Sequence, residues 1–193
     1  KLYMTHTTGP LLVENPQDQE IIFTQWPKGR LILIHGEGGA LQRAIDLARK
    51  FRQRLHICHV SLEEEIELIK AAKEKGLPIT CEVTPHHLFL TEDDAKILGP
   101  FGVMRPPLGS EEDQRALWEN LAVIDAIASD YAPHTIEEKR SEKPPFGVPG
   151  LETTLPLLLS AVANRRLTLE RLIELTSKRP KEIFGLPDES DTY

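Results

Sequence analysis

The sequence predicts an α/β fold in which helices cover a parallel sheet. Short apolar runs alternate with segments whose apolar residues recur at helical spacing, at about one run per two dozen residues. Such alternation occurs in open doubly wound sheets and in (β/α)8 barrels. Neither a GxGxxG motif nor a Walker loop is present. Because a complete barrel typically needs about 250 residues, a barrel made from these 193 residues would be incomplete.

The first βαβ unit begins at LILIHG, residues 31–36. This apolar run lies between PKGR and GEGG, which is typical of a strand buried on both faces. A helix is predicted over 40–51 and a second strand over 55–61. The next helix, 62–75, is expected to be capped by Ser61 and stopped by the following GLP, before a strand at 79–83.

In the second half of the chain, TEDDAKIL and SEEDQRALWENL each begin with Thr or Ser followed by acids, a pattern that starts helices. GPFGVMRPPLG between them is predicted to be a loop, and AVIDAIASD at 122–130 a buried strand. YAPHTIEEKRSEKPPFGVPG is too rich in Pro, Gly and charge for regular structure. Two or three helical segments follow from residue 151, one with Pro180 in its first turn.

Composition excludes several classes of function. The net charge of −7, from 23 basic and 30 acidic residues, argues against nucleic acid as a partner. Two cysteines cannot build a disulfide framework, and no apolar stretch is long enough to span a membrane. We therefore expect a cytoplasmic protein without a membrane partner.

Polar residues close the predicted strands. His35 ends one strand, His59 the next, the cluster from Glu82 to His87 the third, and Asp130 the fourth. A lone histidine at a strand end is usually a hydrogen-bonded structural residue. The carboxyl ends of parallel strands share one face, however, so His35, His59 and Asp130 should converge there. Two imidazoles and a carboxylate favour a metal site.

SDYAPHT with His35, HICHV, CEVTPHHLFL and FGVPGLETTLPLLL together resemble dihydroorotase, most closely the class of multifunctional pyrimidine-synthesis proteins and many bacteria. The resemblance implies a (β/α)8 TIM-type barrel of the amidohydrolase superfamily, with only about strands 4 to 8 in this chain. Residues 1–187 would be the C-terminal part of that barrel, and 188–193 the start of a C-terminal segment.

The resemblance also implies a metal centre of two zinc ions bridged by a carboxylated lysine, which matches Lys1. The ligands of the second metal match His35 and His59. The aspartate that binds the first metal and transfers the proton matches Asp130. In some members a third zinc uses a cysteine and a glutamate, which match Cys58 and Glu82.

Substrate contacts follow from the same resemblance. The arginine and histidine that hold a substrate carboxylate match Arg105 and His134, and the FGVPG loop adds Pro149 and Gly150. The implied reaction is the reversible cyclisation of N-carbamoyl-L-aspartate to dihydroorotate in pyrimidine synthesis. Dihydropyrimidinase and allantoinase share this chemistry. The alternative outside enzymes is a catalytically silent scaffold for aspartate transcarbamoylase.

The sequence departs from the family in several ways. The H-x-H pair that binds the first metal, and the arginine and asparagine beyond it, are absent, and Tyr131 replaces the usual histidine of the central motif. We expect these residues to be a piece of a longer chain, because half a barrel would leave two open sheet edges. A homo-oligomer is also expected.

Other polar residues have simpler interpretations. His86 and His87, just after Pro85, suit a capping or supporting role as well as ligation. Cys58 and Cys81 suit core thiols, and His6 and His56 ordinary surface or strand-edge residues. Trp26 and Trp118 are expected to be packing anchors.

Overall fold

The fold is a partial barrel built on one parallel sheet. The computed structural model describes residues 1–187, so the predicted C-terminal segment at 188–193 lies outside the described residues. Each strand pairs with the next along the chain. The strands, in sheet order, are β1 (Leu2–Tyr3), β2 (Leu31–His35), β3 (Arg54–Ile57), β4 (Ile79–Val83) and β5 (Ala126–Ile127).

Helices occupy most of the chain between and after the strands. A 3-10 turn at Gly99–Gly102 and a π-helical turn at Glu174–Lys178 join some of them. None of the helices within residues 1–187 is long and apolar enough to cross a bilayer. They are α1 (Pro16–Gln25), α2 (Gly39–Phe51), α3 (Glu63–Glu74), α4 (Pro85–Phe89), α5 (Glu92–Leu98), α6 (Glu111–Glu119), α7 (Ile136–Lys139), α8 (Leu151–Ala163), α9 (Leu169–Ile173) and α10 (Arg179–Phe184).

The two faces of the sheet differ. Ile32 and Ile34 of β2 are buried in the hydrophobic core, whereas Leu31 and Leu33 on the other face are only half-buried. The expectation that this strand is buried on both faces is therefore only partly met. The face that carries Leu31 and Leu33 also carries polar side chains. His56 of β3 is one of them, because the strand register aligns it with Leu33.

Several predicted elements are confirmed and others change. The strand at 79–83 is confirmed, as are helices capped by Thr91 and Ser110. The strand predicted at 122–130 is only two residues long in β5, although hydrogen bonds from Asp125 N and Ala128 N extend its pairing with β4. The strand predicted at 55–61 ends earlier, at Ile57.

The prediction that the Ser61 side chain caps helix α3 is wrong. Helix α3 begins at Glu63, and the buried Glu65 carboxylate accepts hydrogen bonds from the backbone N–H groups of Ser61 and Leu62, at 3.0 and 3.2 Å. The serine hydroxyl also points at this carboxylate, at 3.3 Å, instead of accepting from the helix. The acid therefore satisfies the free donors before the helix.

Three helices were not predicted, and one of them, α7, lies in the segment 131–150 that was expected to lack regular structure, where Thr135 accepts a hydrogen bond from Glu138 N at 3.1 Å. In α1, Asn15 accepts a hydrogen bond from Gln17 N at 2.8 Å and Pro16 occupies the first turn. In α4, Thr84 accepts from His87 N and Pro85 opens the helix. Helix α4 directs His86 and His87 into the protein, where both are buried.

A buried carboxylate joins the sheet to the helices behind β5. Asp125 accepts a hydrogen bond from Cys81 N in β4 at 2.9 Å and another from Arg179 in α10 at 2.9 Å. It also pairs with Lys73 of α3. Because Asp125 lies just before β5, this network fixes the strand that leads to Asp130.

Candidate functional site

A cavity of about 240 Å³ lies at the carboxyl ends of the strands. His35 ends β2, His59 follows β3, and Asp130 follows β5, so convergence on one face is what their positions in the sequence predicted. Lys1 reaches the cavity from the start of β1, and Arg105 from the loop between α5 and α6. The lining side chains with polar groups include Lys1, Tyr3, His35, His59, Arg105 and Asp130.

His35 and His59 are in direct contact. His35 Nδ1 lies 2.8 Å from His59 Nε2, and His35 Nε2 lies 3.3 Å from the carbonyl of His6. If His35 donates to that carbonyl, its Nδ1 accepts from His59, which leaves a lone pair on His59 Nδ1. That atom is buried and has no hydrogen-bond partner among the described residues.

Burial keeps both imidazoles neutral. It lowers the pKa of His35 and lowers the pKa of His59 well below its usual value, with the positive charge of Lys1 acting in the same direction. Neutral imidazoles are the form that binds metals. An adjacent pair with an unsatisfied lone pair therefore fits a metal ion.

His59 and Asp130 share an unusual backbone conformation. Their φ angles are 40° and 43°, in the left-handed region that non-glycine residues rarely adopt. Arg52 and Arg165, which also have positive φ, follow helices. His59 and Asp130 follow strands instead, and strain at such positions is characteristic of functional sites.

Lys1 and Asp130 influence each other across the cavity. Burial acts to lower the pKa of Lys1, but the negative groups around it, including Cys58, Tyr3 and Asp130, raise it overall. Burial raises the pKa of Asp130, and Lys1 opposes that shift. A carboxylate with a raised pKa is better suited to exchanging protons near neutral pH.

Beside the cavity, His56, Cys58 and Glu82 bring three potential ligand atoms within 4.8 Å of one another. His56 Nε2 lies 3.0 Å from a Glu82 oxygen, and its Nδ1 lies 2.8 Å from the Thr80 hydroxyl. Burial and Glu82 raise the pKa of the Cys58 thiol to about 12. The expectation that His56 is an ordinary surface or strand-edge residue is wrong, since its side chain is fully buried.

Arg105 is held at the rim of the cavity. Its guanidinium lies 5.2 Å from the centre of the Phe146 ring and 3.9 Å from a Glu37 oxygen. The remaining predicted substrate contacts lie farther out. His134 Nε2 lies 3.0 Å from the carbonyl oxygen of Phe146, and the side chain is not among those that line the cavity. Pro149 and Gly150 line a neighbouring apolar pocket with His86.

His87 contacts the backbone of the loop that carries Arg105. Its Nδ1 lies 2.7 Å from the Thr84 hydroxyl and its Nε2 lies 3.2 Å from the carbonyl of Pro106. Burial lowers its pKa to about 4 and that of His86 to about 3. This geometry matches the supporting role considered for His87.

His56 and Phe146 were not predicted as residues of the site. His56 had a usable signal, because its spacing from Cys58 places both side chains on one face of the strand. Phe146 opens the FGVPG loop that the resemblance singled out, but nothing in the sequence indicated that its ring would face Arg105.

The chain is similar in sequence to dihydroorotases and to multifunctional proteins. It is 46% identical over 194 residues to the "Multifunctional protein CAD" of Squalus acanthias, which covers all of this chain and 9% of that protein. It is 46% identical over 151 residues to the dihydroorotase of Methanosphaera stadtmanae, covering 77% of this chain and 35% of that enzyme. No protein-family model matches.

Solved structures agree with the fold. An L-hydantoinase (dihydropyrimidinase) from Arthrobacter aurescens superposes with a TM-score of 0.89 at 30% identity over 98% of this chain. An inactive dihydroorotase-like domain of a Chaetomium thermophilum CAD-like multifunctional protein gives 0.77 at 33% identity over 91%. The chain spans 51% and 50% of those two structures, which is consistent with the partial barrel.

Proposed function

We propose that this chain, a dihydroorotase-like part of an amidohydrolase barrel, supplies much of the active site of a zinc-dependent dihydroorotase. The proposed reaction is the reversible cyclisation of N-carbamoyl-L-aspartate to dihydroorotate. The observation that carries the proposal is the convergence of Lys1, His35, His59, Arg105 and Asp130 on one cavity, in a chain 46% identical to a dihydroorotase.

The proposed metal ligands are Lys1 as a carboxylated side chain, His35, His59 and Asp130. The neutral histidines and the unsatisfied His59 Nδ1 support this set. A lysine becomes an anionic oxygen ligand only after carboxylation, since its ammonium would repel a cation. Two bound divalent ions would acidify a water molecule and polarise the amide carbonyl.

Asp130 is the proposed proton carrier. Its carboxylate would accept the proton of the attacking water and return it to the ring nitrogen as the amide bond breaks. The raised pKa caused by burial supports this role. The left-handed backbone at Asp130 holds the side chain toward the cavity, where Lys1 and His59 also lie.

Arg105 is the proposed contact for the substrate carboxylate. Its guanidinium is partly exposed at the rim of the cavity, where a ring lying over the metal ligands would present its carboxylate. His134 would contribute to carboxylate binding indirectly, through its hydrogen bond to the carbonyl of Phe146, whose ring lies against Arg105. Pro149 and Gly150 stay predicted contacts of the same substrate.

For a third metal we propose the cluster of His56, Cys58 and Glu82. One imidazole, one thiol and one carboxylate form a donor set suited to zinc. Binding requires the Cys58 thiolate, so a metal there must offset the burial that raises the pKa of the thiol.

The experiment uses the natural full-length protein. Asp130→Asn should retain the fold and lose hydrolysis, because an amide cannot take up a proton, and His59→Ala should reduce bound zinc. Arg105→Ala should lower kcat/KM for dihydroorotate by about ten- to a hundred-fold, as expected for one charge-assisted contact, with zinc content unchanged. Hydrolysis at the wild-type rate by Asp130→Asn would refute the proposed hydrolase activity. Faster turnover of dihydrouracil or allantoin by the wild type would move the assignment to another cyclic amidohydrolase.

A silent scaffold is the second candidate function. The similarity to a dihydroorotase-like domain described as inactive favours it, as does Tyr131, whose side chain is exposed beside the site. On this hypothesis the partner is aspartate transcarbamoylase and the assembly is a homo-oligomer. Mass spectrometry of the intact natural protein separates the two functions, because a silent scaffold should carry no stoichiometric zinc.

A further inference from the structure

Lys139, at the end of α7, is a buried lysine with three backbone carbonyls as acceptors. Its Nζ donates to the carbonyls of Val103 and Pro145, both at 2.9 Å, and of Gly147 at 3.0 Å. The residue is only 5% exposed. An ammonium has three N–H donors, so these carbonyls satisfy all of them.

The three carbonyls belong to two different loops. Val103 lies two residues before Arg105, whereas Pro145 and Gly147 flank Phe146. A backbone hydrogen bond from Gly147 N to Val103 O, at 3.1 Å, joins the same loops. Lys139 therefore fixes the backbone on both sides of Phe146 relative to the segment that carries Arg105.

Phe146 transmits this position to the proposed carboxylate contacts. Its ring faces the Arg105 guanidinium at 5.2 Å, within the range of a cation–π interaction. Its carbonyl receives the hydrogen bond from His134 at 3.0 Å. One aromatic residue thus orients the arginine on one side and the histidine on the other.

The Phe146 loop has little freedom to adjust by itself. Gly147 has a φ of 132°, and a Cβ at that position would lie 2.5 Å from the carbonyl oxygen of Ala132. Ala132 N also donates to Val148 O at 3.2 Å. The loop packs closely against the segment that follows Asp130. Loss of the hydrogen bonds from Lys139 should therefore change the position of Arg105.

We propose that Lys139 is a positioning residue for recognition of the substrate carboxylate. It acts through Phe146, which it holds in place so that Arg105 faces an anionic ring substrate. The proposal rests on the proposed function of the cavity and deepens it. It assigns to Lys139 no contact with substrate or metal.

The test is Lys139→Met in the natural full-length protein, since methionine keeps an unbranched side chain without donors. The KM for dihydroorotate should rise about tenfold, in line with one lost charge-assisted contact, while kcat changes less than about threefold and bound zinc is unchanged. Lys139→Arg keeps the charge and should recover part of the loss. Lys143→Met, an exposed lysine in the same segment, is the matched control and should behave as wild type.

A double-mutant cycle with Arg105→Ala gives the sharpest result. If Lys139 acts through Arg105, adding Lys139→Met to Arg105→Ala should raise KM by less than about twofold further. Fully additive effects, or a loss confined to kcat, would overturn the proposal.

Hydrogen exchange distinguishes this inference from the proposed function. A wild-type protein without activity on dihydroorotate refutes the proposed function alone. The amide of Gly147 should still exchange faster in Lys139→Met than in Lys143→Met. Equal exchange in the two variants would show that Lys139 does not hold the loop.

Discussion

His87 should make stability depend on pH between about 6.5 and 4. Burial lowers its folded-state pKa from 6.5 to about 4. Between these pH values the unfolded chain therefore binds a proton at His87 and the folded protein does not. The stability is fully present above pH 6.5 and is lost as the pH falls toward 4. At about 1.4 kcal/mol per pKa unit the whole effect is about 3 kcal/mol, of which about 2 kcal/mol is lost by pH 5.

The perturbation is His87→Gln, whose amide can still donate to the carbonyl of Pro106 but does not titrate. Urea unfolding of the natural protein is compared with that of the variant at pH 7.5 and pH 5. Between these two pH values the wild type should lose about 2 kcal/mol more than the variant. The proposed metal ligands are present in both proteins, so their own titration cancels, apart from the part of the lowered pKa of His59 that a charged His87 causes.

His6→Gln provides the matched control, because His6 is exposed. It should follow the wild-type curve. Parallel loss of stability in wild type and His87→Gln would refute the reasoning. It would mean that the imidazole takes up its proton in the folded protein without cost, and that the hydrogen bond to the Pro106 carbonyl stabilises the charged form more than burial penalises it.

Two further substitutions test the buried network and the tight loop. Asp125→Asn should lower the free energy of unfolding by about 3 kcal/mol, because it removes the charge shared by Lys73 and Arg179. The exposed pair of Asp93 with Lys96 is the control, and Asp93→Asn should leave the free energy of unfolding nearly unchanged in the same urea experiment. Gly147→Ala should raise the KM for dihydroorotate about tenfold, because its Cβ would overlap Ala132 and shift Phe146. Gly9→Ala also has positive φ but meets no atom within 4 Å, so its kinetics should match wild type, and equal KM values in the two variants would contradict the overlap.

The elements that sequence predicted well are those governed by local chemistry. Thr91 and Ser110 each precede an acid at the third helical position, and in both cases that acid accepts a hydrogen bond from the capping residue's N–H. The strand at 79–83 alternates between buried and half-buried residues, as the period of a strand requires. These signals lie within a few residues of the feature they predict.

The errors have two sources, a neighbouring side chain that competes for the same hydrogen bonds and contacts between distant parts of the chain. Ser61 carries a capping pattern, but Glu65 takes its place because the carboxylate reaches two backbone donors together with the hydroxyl. Asp125 lies inside a predicted apolar strand, and its partners come from α3 and α10. A pattern within one segment cannot reveal which charges another segment will supply.

The candidate site divides in the same way. The positions of His35, His59 and Asp130 follow from strand ends and parallel topology, so the sequence could predict their convergence. The surroundings of Arg105 could not be predicted, since they depend on two irregular loops. Lys139 lies in the charged run EEKR and differs in no visible way from an exposed lysine.

Three buried polar side chains, His87, Lys139 and Asp125, tie the strands and loops of the site together. His87 and Lys139 bond to carbonyls on either side of Arg105, and Asp125 fixes β5 before Asp130. Apolar side chains of similar size would often stabilise a fold as well as buried charges do. A hydrogen bond, unlike apolar packing, specifies the position of a particular backbone atom. We therefore interpret these three residues as groups that trade some stability for a defined geometry of the loops that carry the chemistry.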